Sequence, residues 1–508
     1  MRPVARLQGM NDLSQAAWRR KRDLQDRLVE LIGSYGYHWL DTPILEPTEL
    51  FLRKAGGEMA SQMYSFTDAG SNPVSLRPEF TSPIMRHYLE HASEIDLPSR
   101  WQYAGPVFRY EEEGDGRGQF TQLGAELLGS SSVMADVELL SLAARVPSHL
   151  GIENCRLEMT DLDLFHSVLD ATGVSDRART FVIASISQLK EGPQAVSAML
   201  ERAEHLHVAA PDAPDDYLSQ AIAGLDDTQS RKVLQGFLQW SAADQLGQRQ
   251  PGEVVDRLLR KLRGGDDRAT VVRAMELVGE LAAIRGEPQA VLAAVRNLVD
   301  KAGSNTAAVE RLEEFLDLVS AEPGISRRLV LNLGLVRGLA YYNGLVFEVT
   351  HPDCAAPLGG GGRYDELALA LGSPKPLPAL GFAFNLEALL ALTGDVDANH
   401  QATPGPSGGL VLAEDTSSYG HALKVALSLR EQGIPAELDV CGLDLKQALA
   451  YCSKKGISRV IVVDHDGNQT SHPVEPAVPQ ACHPDPSAEG EGSSSRGSPG
   501  GDPSASSG

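Results

Sequence analysis

Three stretches of this sequence have the apolar pattern of β-strands, and each carries an ionisable residue inside it. Arg109 lies in Pro106-Val-Phe-Arg-Tyr110, Glu126 in Leu123-Gly-Ala-Glu-Leu-Leu128 and Arg337 in Leu333-Gly-Leu-Val-Arg-Gly338. A charge removed from water costs several kcal/mol unless it is paired or meets a ligand. Such strands are built around internal salt bridges, for example Arg109 to Glu126 across a hairpin, or around a ligand. Three such positions, with Gly-rich turns beside these segments, favour a ligand site lined by the faces of one antiparallel sheet.

The surrounding pattern is mixed. Trp18–Tyr35 has helical spacing, and Tyr37–Thr42 reads as a strand. Residues 101–109 and 119–128 form a predicted β-hairpin around Gly114-Asp-Gly-Arg-Gly118. Arg328–Gly334 and Leu345–Thr350 read as another strand pair, and Leu380–Leu392 as a strand running into a helix. Between these parts, residues 176–322 carry almost only helix signal, as in Val309, Leu312, Leu316 and Val319. The expected order is a core domain (1–175), a helical insertion (176–322), the rest of the core (323–400) and a linker (401–408). A small β-α-β-α-β domain (409–470) and a disordered Pro/Gly/Ser-rich tail (471–508) follow.

Composition narrows the function classes. With 45 Lys+Arg against 68 Asp+Glu, the net charge of −23 argues against a protein that coats nucleic acid non-specifically. The sequence has no apolar run long enough to span a membrane and no secretory signal pattern at its start, so a cytoplasmic protein is expected. The five cysteines are scattered, and His205 and His207 have no ligand partners nearby, so no metal site is expected. P-loop, G-x-S-x-G and H-E-x-x-H motifs are absent.

Two further segments belong with the charged strands. Leu76-Arg-Pro-Glu-Phe-Thr81 sets a carboxylate and a hydroxyl before a helix, placed either to meet an amino group or for N-capping by Thr81 or Ser82. Gly359-Gly-Gly-Gly-Arg-Tyr-Asp365 is either a plain turn or a place where backbone approaches a ligand closely.

Taken in order, these segments resemble the histidyl-tRNA synthetase family, which includes the regulatory subunit of ATP phosphoribosyltransferase. Gly9-Met-Asn-Asp12 is similar to the family's opening turn, and Thr42-Pro-Ile-Leu-Glu46 to its first class II motif. Val107-Phe-Arg-Tyr-Glu111 with Gln119–Glu126 resembles motif 2, and Pro378–Ala383 with Leu386-Glu387 resembles motif 3. Arg337-Gly-Leu-Ala-Tyr-Tyr-Asn-Gly344 and Gly361–Asp365 resemble the two histidine-specific signatures. The resemblance implies an α+β fold: a class II synthetase-like antiparallel sheet flanked by helices, with a helical insertion and an anticodon-binding-like α/β domain. It assigns histidine to Glu79, Thr81, Gln122, Glu126, Arg337, Tyr341 and Tyr342, and ATP to Arg109, Glu111 and Arg117. Arg337 and Arg109 would be catalytic in a working ligase.

The ATP side departs from the pattern. Motif 3 of a working synthetase ends in Gly-x-Glu-Arg, whereas this chain reads Asn385-Leu-Glu-Ala388. The motif 2 loop is acidic, Glu111-Glu-Glu-Gly-Asp115, and Ala340 replaces an aspartate. The expectation is a non-catalytic histidine sensor, the regulatory partner of a catalytic ATP phosphoribosyltransferase subunit, with no tightly bound cofactor. The alternative is a divergent histidine–tRNA ligase using ATP and Mg and charging tRNA(His). The resemblance also implies a homodimer.

Overall fold

The computed structural model describes residues 4–53, 57–110, 118–210, 225, 227–241, 255, 265–335, 341–393 and 408–474. Its centre is a nine-stranded sheet. In spatial order the strands are β1 (His38–Trp39), β5 (Ser99–Phe108), β6 (Gln119–Leu128), β12 (Ala379–Asn385), β11 (Gly359–Arg363), β10 (Leu345–Thr350), β7 (Arg156–Asp161), β9 (Leu329–Asn332) and β8 (Arg285–Gly286). All neighbours are antiparallel except β1/β5 and β7/β9. A three-stranded sheet, β2 (Leu45–Pro47), β4 (Pro73–Leu76) and β3 (Ser65–Thr67), lies outside it.

Strand β6 shows how sequence orients this sheet. Leu123, Ala125 and Leu127 are fully buried in the main apolar core, which also takes in the helices Gln15–Gly33 and Val133–His149. The alternate positions Gln122, Gly124 and Glu126 face the other side, because successive strand residues point in opposite directions. Apolar burial therefore fixes which face is left for polar chemistry.

Several expectations change. Leu329–Asn332 and Leu345–Thr350 do not pair with each other: β7, unrecognised in the sequence, lies between them and bonds to both. The glycine run 359–362 is a buried central strand and not a turn. Within the helical stretch, Arg285–Gly286 joins the sheet edge beside β9, and the helices Arg268–Ala282, Pro288–Ala302 and Ala307–Ser320 contribute to the same core.

The C-terminal unit has strands β13 (Gly409–Ala413), β14 (Ala436–Leu438) and β15 (Arg459–Val463), parallel as expected. A fourth, β16 (Gln469–Pro473), pairs antiparallel with β15. Residues 471–473, expected in the tail, thus belong to this sheet, and residues 475–508 lie outside the described residues.

The unit is fastened to the core by buried charge. Arg100, 3 % exposed, bonds Glu138 (3.1 Å), Glu437 (2.9 Å) and the Leu438 carbonyl (2.7 Å). Arg430 lies 3.2 Å over the Tyr35 ring. Burying these ions is tolerable only because each guanidinium finds acceptors or an aromatic face.

Candidate active site

The polar face of the sheet holds a buried carboxylate pocket. Glu126 stands opposite Trp101 on β5 and Gly381 on β12, and Gly381 stands opposite Gly362 on β11. The two glycines make the space: a β-carbon at 381 would overlap Glu126 Oε2, and one at 362 would press on the Tyr342 ring. Side chains there would fill the pocket from its floor.

Glu126 is 1 % exposed and surrounded by hydroxyl donors. Thr81 Oγ1 (2.8 Å) and the Tyr103 hydroxyl (3.1 Å) donate to Oε1, and the Tyr364 hydroxyl donates to Oε2. Burial pushes the carboxyl up to about 8 despite those donors, with Glu79 adding to the rise. Glu79, also buried, is raised by desolvation, although Ser82, Thr81 and Arg109 favour its charged form. Neither carboxylate makes an ion pair among the described residues. Glu126, buried beside a second carboxylate, therefore stays largely protonated near neutral pH, and a cationic group placed against it would favour its charged form.

The other expected residues gather here. Gln122, four residues before Glu126 on the same face, accepts the Phe80 N–H (3.1 Å). Both Glu79 oxygens accept the Ser82 N–H (3.1 Å), so this carboxylate, and not Thr81 or Ser82, caps the helix Thr81–Glu90. Tyr341 is buried against Tyr342 (5.0 Å between centroids) and Tyr364 (5.8 Å). Burial holds its hydroxyl well above the ordinary phenol value.

Arg109 follows the end of β5 and donates from Nε to the Pro78 carbonyl (2.9 Å), with its guanidinium 5.3 Å from the Phe120 centroid. Arg109 and Glu126 form no salt bridge across the hairpin. The register pairs Glu126 with Trp101 and Gln119 with Phe108, at opposite ends of the hairpin. Arg337, Glu111 and Arg117 lie outside the described residues.

Tyr103 and Tyr364 escape a residue-level reading, although both donate to Glu126. Tyr364 sits inside the Gly-Arg-Tyr-Asp segment. Tyr103 stands opposite Gly124, which leaves room for its ring. Arg363, in the same segment, is buried and bonds Asp136 through Nε (3.0 Å) and a terminal nitrogen (2.7 Å). At the motif-3 position, Asn385 caps the Ala388 N–H (3.1 Å). Glu387 accepts the Thr121 N–H (2.8 Å) and pairs with Lys21 (2.8 Å). Ala388 is partly buried against the main core.

A family model described as histidyl-tRNA synthetase matches residues 9–234 and 242–389. The chain belongs to the histidyl-tRNA synthetase family. Histidine–tRNA ligase of Methanocaldococcus jannaschii is 27% identical over 458 residues, 90% of this chain and 90% of that protein. The Thermococcus kodakarensis ligase is 28% identical over 467 residues, 91% of each. Among solved structures, an ATP phosphoribosyltransferase regulatory subunit/histidyl-tRNA synthetase from Bacillus halodurans C covers 91% of this chain and 99% of its own, with TM-score 0.55 and 19% identity. That likeness shows the class II synthetase-like fold of the histidyl-tRNA synthetase family. Among the described residues, no helix is long and apolar enough to cross a membrane, and no group of His, Cys, Asp or Glu is placed to hold a metal ion.

Proposed function

We propose that this chain binds histidine without activating it and serves as the regulatory subunit of an ATP phosphoribosyltransferase. Glu79 and Glu126 would take the donors of histidine, its ammonium and ring N–H groups, with Thr81 and Gln122 beside them and Tyr341 and Tyr342 lining the ring. Carboxylates suit this role because both ligand groups are donors that need acceptors.

The observation that carries the loss of activation is Ala388. In working synthetases an arginine follows the motif-3 glutamate and grips the ATP triphosphate; here a methyl group packs towards the core instead. Glu387 is tied to Lys21 and the β6 backbone, and the acidic Glu111–Asp115 segment would repel a triphosphate. The Bacillus halodurans protein of similar fold is an ATP phosphoribosyltransferase regulatory subunit/histidyl-tRNA synthetase, in keeping with this reading. The proposed partners are histidine, a catalytic phosphoribosyltransferase subunit and a second copy of the chain.

The second reading, a divergent histidine–tRNA ligase using ATP and Mg, draws on Arg109 and on the 90% coverage of ligase relatives, C-terminal part included. Histidine-dependent ATP–pyrophosphate exchange separates the two. The regulatory reading expects no exchange, with histidine binding by calorimetry and co-purification of a phosphoribosyltransferase. Clear exchange would overturn it.

A further inference from the structure

A second cavity, of about 790 Å³, opens at the far edge of the main sheet. Strands β10, β11 and β12 separate its strand β7 from the Glu126 strand, which places it about 20 Å from the histidine pocket at the usual strand spacing. It is lined by residues of β7, β9 and β10 and by the segment just before β9.

Register brings its cations together. Arg156 pairs with Thr350 across β7/β10. On the other side, Leu157 is in register with Leu329 and its N–H bonds the Arg328 carbonyl (2.9 Å), which sets Arg328 beside Arg156. Further along come Glu158 and Val330, which also line the cavity. Their neighbours Leu157, Leu329 and Val349 are buried in the core.

The charges here do not cancel. Arg328 is positioned by the Gly324 carbonyl (2.6 Å) and Ser148 Oγ (3.0 Å), both neutral. The side chains of Arg156 and Arg327 have no hydrogen-bond or ion-pair partner among the described residues. Glu158, which also lines the cavity, is already taken by Arg285 (2.7 Å) and Asn332 (2.7 Å). Like charges side by side on neighbouring strands are destabilising, and three arginines lining one cavity offer the forked, always-charged donors that suit a phosphoryl group. Glu287, an exposed residue that also lines the cavity, carries a carboxylate with no donor among the described residues.

We propose that this cavity binds a phosphorylated, hydroxyl-bearing small molecule. The phosphoryl group would sit on Arg156, Arg327 and Arg328, and a hydroxyl would donate to Glu287. The site is independent of the histidine pocket and of the regulatory reading.

The test is calorimetric titration of the full chain with inorganic pyrophosphate at low salt, repeated with Arg156→Gln, Arg327→Gln, the double variant and Arg109→Ala. Each cavity substitution is expected to weaken binding about tenfold, the loss of one charge-assisted contact. Histidine affinity should stay unchanged in these variants, and Arg109→Ala should keep pyrophosphate binding. Absence of pyrophosphate binding, equal affinity in the double variant, or loss confined to Arg109→Ala would overturn the proposal.

Discussion

If Glu126 receives a cationic ligand, histidine binding must expel a proton. Burial holds this carboxyl at about 8, so it is about nine-tenths protonated at pH 7. A bound ammonium or ring N–H favours the carboxylate, and the proton leaves. Because the proton departs on binding, acid opposes binding and alkali favours it. This contribution raises affinity about tenfold from pH 6 to 7 and about fivefold from pH 7 to 8, then flattens. Titration calorimetry at pH 7 in buffers of different ionisation enthalpy should count about 0.9 proton released from this group per histidine, falling to about 0.5 at pH 8. Glu126→Gln keeps the shape without the charge. It should lower affinity about tenfold to a hundredfold, the worth of a charged hydrogen bond, and abolish the release. Proton uptake at pH 7, or the same release from Glu126→Gln, would refute the reasoning.

Three other perturbations probe the same architecture. Tyr364→Phe removes a donor that favours the Glu126 carboxylate; its carboxyl should rise further, and the pH at which histidine affinity levels off should move upwards in the same titration. Gly381→Ala places a methyl group where Glu126 Oε2 lies; histidine binding should be lost by calorimetry, at a stability cost of about 1–3 kcal/mol in denaturant unfolding. Arg100→Met strands Glu138 and Glu437 without their cation; it should cost about 3–5 kcal/mol. Neutralising both glutamates as well should recover much of that loss in melting temperature.

Local pattern is readable where burial is one-sided. The hairpin 99–128, the strand-to-helix run into Leu386–Leu392 and the parallel C-terminal strands all follow from apolar periodicity. Pairing is less legible, because the partner of a strand is set by the whole sheet. Arg156–Asp161 carries Arg, Glu, Thr and Asp among its apolar residues, yet it sits between two strands that look like neighbours in the sequence. The glycine strand 359–362 has no side chains from which a period could be read. In the site, charged residues in apolar strands are visible as anomalies. Tyr103 is not, because a tyrosine in a strand is ordinary until Gly124 is known to face it. Glu79 as a helix cap depends on a backbone geometry that residue type alone does not reveal.

The helix Val133–His149 connects the pocket to the rest of the molecule. Asp136 holds Arg363, the residue before Tyr364, and also Arg311 (2.7 Å). Two residues further on, Glu138 holds Arg100 and through it the C-terminal unit. Asp136→Asn removes the charge facing two arginines, one of them 4 % exposed, and should cost about 3–5 kcal/mol. If Asp136 also positions Tyr364, histidine affinity should fall as well, because Glu126 then loses a well-placed donor. Leu139→Ala, a fully buried change on the same helix, separates positioning from stability, since it should destabilise by about 2–5 kcal/mol without touching Arg363. Histidine affinity is expected to drop in Asp136→Asn and to hold in Leu139→Ala, measured well below both melting temperatures. Equal losses in the two variants would mean that Asp136 contributes only to stability, and that Tyr364 is held in place without it.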